Sequence, residues 1–96
     1  MRARAHYKFR LYVAGAAPNS VQAIANLTAL CQAYAPKHHE IEIVDVLREP
    51  KRALVDRIFM TPTLVMLSPG PVQRIVGTLS NAQTVLDACG IGKAAA

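Results

Sequence analysis

The tightest constraint in this 96-residue sequence is the link Ser68-Pro69-Gly70-Pro71. It separates two apolar runs, residues 63–67 and 72–76. So short a connection permits only an antiparallel hairpin, because a parallel return needs a crossover of a dozen residues or more. The first half of the chain carries the opposite constraint. Tyr7, Phe9, Leu11 and Val13 alternate with Lys8, Arg10 and Tyr12, the period of two that marks a strand with one face on a core. Ala14-Gly15-Ala16-Ala17 interrupts the alternation and Pro18-Asn19-Ser20 supplies helix-start chemistry. Val21, Ile24, Leu27, Leu30, Cys31 and Tyr34 then recur at helical spacing until Pro36. Beyond the polar turn Lys37-His38-His39, a second strand reads from Ile41, Ile43, Val44, Val46 and Leu47 around Glu42 and Asp45. A strand, a helix and a strand in this order form a parallel, right-handed crossover.

Between the two halves, Glu49-Pro50 starts a short amphipathic helix. The spacing predicts Ala53, Leu54, Ile58 and Phe59 facing inward, with Lys51, Arg52, Asp56 and Arg57 facing out, and Thr61-Pro62-Thr63 ending it. Ser80-Asn81-Ala82-Gln83 has capping-box spacing and opens a last helix through Val85, Leu86 and Cys89, stopped by Gly90 and Gly92. The element order is βαβαββα, an α/β fold of thioredoxin-like layout. Residues 1–96 read as one domain with an ordered core of about residues 7–91, leaving Lys93-Ala94-Ala95-Ala96 as a frayed end.

Hydrophobic residues make up 52% of the chain and charged ones 18%, which excludes a disordered polar chain and leaves apolar area for a subunit or partner interface. The net charge of +5 favours acidic partners. Its positive residues are scattered, with no run longer than two, and aromatic residues are few, so nucleic acid is not expected as a partner. MRARAHYKF passes straight into the strand pattern with no apolar signal region, and no apolar run approaches the ~18 residues of a membrane span. A cytoplasmic protein is the expectation. Cys31 and Cys89 each lie within a helical apolar pattern and read as buried, reduced thiols.

Thioredoxin-type redox chemistry needs Cys-x-x-Cys at the start of the first helix, where the helix dipole lowers a thiol pKa. That place reads Gly15-Ala16-Ala17-Pro18-Asn19-Ser20. His38 and His39, with His6 or Glu40 nearby, lack any metal-ligand spacing, and no Gly-rich phosphate loop or Gly-x-Ser-x-Gly elbow is present. No catalytic residue, metal or cofactor is assigned. What remains suits recognition: the charged helix over residues 51–57, and the turn Pro69-Gly70-Pro71, taken as lying beside Pro62.

The segments Leu11-Tyr12-Val13-Ala14-Gly15, Pro18-Asn19-Ser20-Val21, Val44-Asp45-Val46-Leu47, Thr61-Pro62-Thr63-Leu64, Pro71-Val72, Ile75-Val76-Gly77 and Leu79-Ser80 fall in one gapless register over residues 11–86. In them the chain resembles the KaiB family of clock proteins and their bacterial relatives. The resemblance implies a non-enzymatic adaptor that binds the ATPase KaiC, sequesters KaiA and displaces a sensor histidine kinase. It also implies homo-oligomers, a tetramer or dimer exchanging with a monomer, and two folds for one sequence. One is the thioredoxin-like monomer and the other a rearranged βαββααβ tetramer. Two alternatives stand beside this reading. One is a degenerate thioredoxin-like thiol enzyme acting through Cys31 or Cys89. The other is a free-standing sensor domain related to the KaiB-like domain of a clock histidine kinase; in such kinases the domain continues into a kinase, whereas this sequence stops.

On this resemblance the expected partner surface is Lys51, Arg52, Asp56 and Arg57 with Arg74, and the residues expected to set the fold are Pro62, Pro69, Pro71, Ala88 and Gly90. Gln22 and Gln73 stand where family members commonly carry basic residues, and Pro69-Gly70-Pro71 where they carry three prolines. Lys93 to Ala96 replace an acidic tail. Ala88 stands in place of a family glycine, and alanine favours helix over glycine by roughly 0.8–1 kcal/mol, which tilts the balance toward the thioredoxin-like form.

Overall fold

Strand β1 (Tyr7–Val13) buries side chains on both of its faces, and this makes it a central strand. In the computed structural model, which describes residues 6–91, β1 pairs in parallel with β2 (His39–Asp45) from Tyr7 opposite His39 to Val13 opposite Asp45. On its other side it pairs antiparallel with β3 (Thr63–Ser68), which forms the expected hairpin with β4 (Gln73–Val76). The strand order is β2-β1-β3-β4. With α1 (Pro18–Tyr34), α2 (Pro50–Val55) and α3 (Ala82–Cys89), the chain runs βαβαββα, as the periodicities predict.

Phe9, Leu11 and Val13 pack with Leu27, Leu30 and Cys31 of α1, Leu64 and Met66 of β3, and Val85, Leu86 and Cys89 of α3. The alternate residue, Tyr12, joins Val44, Val65 and Ala53 of α2 in a smaller cluster. One strand thus feeds a large dry core and a small one, separated by its pleat.

Several local expectations are corrected. In α1, Ser20 and Ala23 are buried whereas Val21 and Tyr34 are exposed, because the Ser20 Oγ turns inward to accept a hydrogen bond from the Ala14 N–H at 3.0 Å. Strand β2 ends at Asp45 and not at Leu47: the Asp45 Oδ1 accepts from the N–H groups of Leu47 and Gly15, both at 3.0 Å, folding the chain into a turn. Gly15 adopts φ +52 there, with space above it closed by Leu47. The last helix is capped by Asn81, whose side chain accepts from the Thr84 N–H at 3.2 Å, while the Ser80 hydroxyl pairs with that of Thr78 instead. Gly90 closes α3 in the left-handed conformation at φ +68. Gly92 and the tail residues 93–96 lie outside the described residues.

Candidate partner-binding surface

The α2 helix has six residues, too few to hold itself, so its position depends on what it touches. Apolar burial contributes one side chain, Ala53. The rest is ionic. Arg10 of β1 donates from Nε to Glu42 of β2 at 2.8 Å, its cross-strand partner, and from Nη1 to Asp56 at 3.1 Å. Arg52 of α2 donates to the other oxygen of Glu42 at 2.7 Å and approaches Glu49 at 3.7 Å. The buried Tyr12 hydroxyl donates to Asp56 just beyond the helix. Arg74 of β4 reaches over to donate to the carbonyl oxygen of Asp56, a group that the helix C-terminus leaves open, and to that of Arg57 just beyond it.

These contacts set the titration of the network. Hydrogen bonds from Arg52 and then Arg10 hold the Glu42 carboxyl down to about 2. The Tyr12 hydroxyl, with Arg10, holds Asp56 below the usual carboxylate range. Burial pushes the Tyr12 phenol up, and its bond to Asp56 pushes the same way. The hydrogen bond to Glu42 raises Arg10, and the same partner raises Arg52.

The expectation that Lys51, Arg52, Asp56 and Arg57 share an outward helical face is therefore corrected. Arg52 and Asp56 turn toward the sheet, Asp56 and Arg57 lie past the end of α2, and Arg57 sits at φ +55. Leu54 and Phe59, expected inside, are 73% and 85% exposed. The reason is that Tyr12, Arg10 and Glu42 offer polar partners on this face of the sheet, so charged side chains satisfy it better than leucine would. Among the described residues neither Lys51 nor Arg57 enters an ion pair. Lys51, Leu54 and Val55, at i, i+3 and i+4, form the outward face of α2. Farther along, Arg57, Ile58, Phe59, Met60, Thr63, Arg74 and Val76 line a cavity of about 350 Å³.

Pro62 is buried at the start of the hairpin, after a cis peptide, and its carbonyl accepts from the Gly77 N–H at 2.9 Å. The exposed turn with Pro69 and Pro71, each also following a cis peptide, lies at the opposite end of β3 from Pro62, not beside it. Roughly 17 Å of strand rise separates the two sites. Ala88 is exposed near the end of α3 with Gly90 just past it, far along the chain from the α2 surface. The side chains that sequence reasoning missed are Arg10, Tyr12 and Glu42. Their signal was the mixture of one aromatic with two basic residues on the supposedly solvent-facing side of β1.

Cys31 and Cys89 are buried in the large core, and burial pushes both thiols up to about 11, Cys31 further assisted by Cys89. Such thiols are protonated at neutral pH, the reverse of a redox-active cysteine. Among the described residues no group of three or more His, Cys, Asp and Glu side chains could hold a metal ion, and no helix is long and apolar enough to cross a membrane.

The fold and its surface define a thioredoxin-like domain in which the start of the first helix carries no thiol. In architecture it is similar to the N-terminal domain of Synechococcus elongatus SasA. The TM-score is 0.72 at 19% identity, over 91% of this chain and 83% of that one. It is similar also to chloroplastic thioredoxin z, with a TM-score of 0.74 at 19% identity over 91% and 79%. The KaiB domain family matches residues 10–91. Circadian clock protein KaiB3 of Synechocystis is 46% identical over 80% of this chain and 76% of its own length. The circadian clock oscillator protein KaiB of Thermosynechococcus vestitus is 42% identical over 86% and 77%. The chain belongs to the KaiB family, and that membership supports a KaiB-like regulatory role.

Proposed function

We propose that this protein is a non-enzymatic adaptor that acts in the cytoplasm by docking on a KaiC-like ATPase, regulating clock or stress signalling. Competition with KaiA or a sensor histidine kinase for that partner follows from the same family reading. The observation that carries the docking face is the division of charge around α2: Arg52, Asp56 and Arg74 hold the helix to the sheet, while Lys51 and Arg57 stay available to a partner. The basic excess of the chain suits an acidic partner surface. The thioredoxin-like form is the binding form, drawn from a pool that includes homo-oligomers and the rearranged βαββααβ fold.

The test is calorimetric titration of the protein against a KaiC-like hexamer. Lys51→Glu combined with Arg57→Asn is the informative variant, since asparagine tolerates the positive φ of position 57. Reversing Arg52 would instead place a carboxylate against Glu42 and Glu49 and disturb the helix itself. The expected result is saturable binding by the parent, weakened about three- to tenfold in the variant at low salt with circular dichroism unchanged. A parent that does not bind the hexamer would contradict the reading.

A further inference from the structure

Of the five apolar side chains in the segment from Leu54 to Met60, only Ile58 packs against the core, and the other four are largely in solvent: Leu54, Val55, Phe59 and Met60, at 73%, 81%, 85% and 64% exposure. They are not loosely held. The Ile58 N–H donates to the Ala53 carbonyl at 2.8 Å and the Arg57 N–H to that of Leu54 at 3.1 Å. Arg74 fixes the Asp56 and Arg57 carbonyls, and the Met60 carbonyl accepts from the Thr63 hydroxyl at 2.6 Å. The ion network below holds α2 to the sheet, so the apolar side chains project from a fixed backbone. Val76, 55% exposed, completes a concave site with Phe59 and Met60.

We infer that this surface is the energetic centre of docking and that its occupant is an amphipathic protein helix with an apolar ridge flanked by acidic side chains. The inference deepens the adaptor reading and rests on it for the choice of face. Large apolar side chains at the centre of an interface carry most of its affinity, while rim charges set encounter and salt dependence. Here the centre is Leu54, Val55, Phe59 and Met60, and among the described residues the charged side chains at its edge that enter no ion pair or side-chain hydrogen bond are Lys51 and Arg57, both basic, while Arg52, Asp56 and Arg74 beside them are engaged with the sheet or the backbone. An acidic flank on the partner complements them. A second copy of this chain would set basic edge against basic edge. A membrane surface would also attract this combination of charges, but the concavity between Phe59, Met60 and Val76 receives a side chain where a bilayer offers none, and the six-residue α2 is short for an interfacial helix.

The probe is a synthetic amphipathic helical peptide with leucines along one face and glutamates beside them, titrated into the isotope-labelled full chain and followed by amide chemical shifts. Perturbations centred on residues 51–60 and 74–76 are expected. Leu54→Ser with Phe59→Ser should weaken the peptide more than tenfold at any salt, and Lys51→Glu with Arg57→Asn only severalfold and at low salt. Both pairs are exposed and should leave the native spectrum in place. The same peptide binding, lost in the serine variant, supports the surface even if a KaiC-like hexamer fails to bind, in which case the adaptor reading alone falls. Shifts centred elsewhere would overturn the inference, as would peptide affinity unchanged in the serine variant. Equal loss of self-association in that variant would assign the surface to a second copy, and binding to phosphatidylglycerol-containing vesicles without peptide binding would assign it to a membrane. Either result overturns the helix.

Discussion

The two faces of the sheet are built from the same strand by opposite means. On one face, Phe9, Leu11 and Val13 meet two helices in a dry cluster. On the other, Arg10 and Tyr12 reach toward one short helix held chiefly by hydrogen-bonded charges. Burial on the first face is non-directional and tolerates a shift of helix stripe, as the exchange of Val21 for Ser20 and Ala23 illustrates. Ionic attachment on the second is directional and releases apolar side chains to solvent. The first face stores the stability and the second displays a surface.

The largest expected effect falls on the dry face. Leu11→Ala should cost about 2–5 kcal/mol in urea denaturation, because a fully buried leucine leaves a cavity in a cluster with little room to collapse. A smaller loss would mean that the dry face is looser than its burial indicates. Next is Tyr12→Phe, which strips the buried hydroxyl from Asp56 and should cost about 1–3 kcal/mol by the same measurement. A neutral result would break the account of the ionic face, since Asp56 would then need no partner from the sheet.

Ala88→Gly probes neither face directly. It lies next to the last residue of α3, so the loss should not exceed about 1 kcal/mol. If the rearranged fold is within reach, the thioredoxin-like fraction should fall by up to about fivefold, read from chemical shifts of residues 58–89 at several protein concentrations. An unchanged or larger fraction would contradict this balance.

The smallest effect belongs to Glu42→Gln. Glu42 is half exposed, so its two pairs together should be worth less than about 1 kcal/mol, and less again in high salt. Its sign with pH is fixed. A carboxyl held at about 2 in the folded state, below its ordinary 4.5, contributes stability that is complete above pH 5 and drains away as pH falls toward 2. The parent should therefore lose stability across that window more steeply than the glutamine variant, and parallel curves would remove Glu42 from the attachment of α2.

The dry face was legible in the sequence because periodicity reports burial, and the residues of β1, β3 and α3 follow their periods. The charged face was not, because a helical pattern that places leucine inside and arginine outside assumes an apolar sheet beneath it. Once Tyr12 and Arg10 are known to line that sheet, Arg52 and Asp56 belong inside and Leu54 outside. Chain order conveyed the neighbourhood of Arg74 and the segment 56–57, but nothing in it revealed a guanidinium closing a helix end from another strand. The separation of Pro62 from Pro69 and Pro71 followed from the hairpin itself, whose two ends are a strand length apart.

Hydrogen–deuterium exchange of the full chain, alone and saturated with a KaiC-like hexamer, tests most directly whether the ionic face is the docking face. Slowed exchange is expected over residues 50–60 and 73–76, with α1 and α3 unchanged. Protection confined to α1 and α3, with residues 50–60 exchanging as in the free protein, would contradict the account.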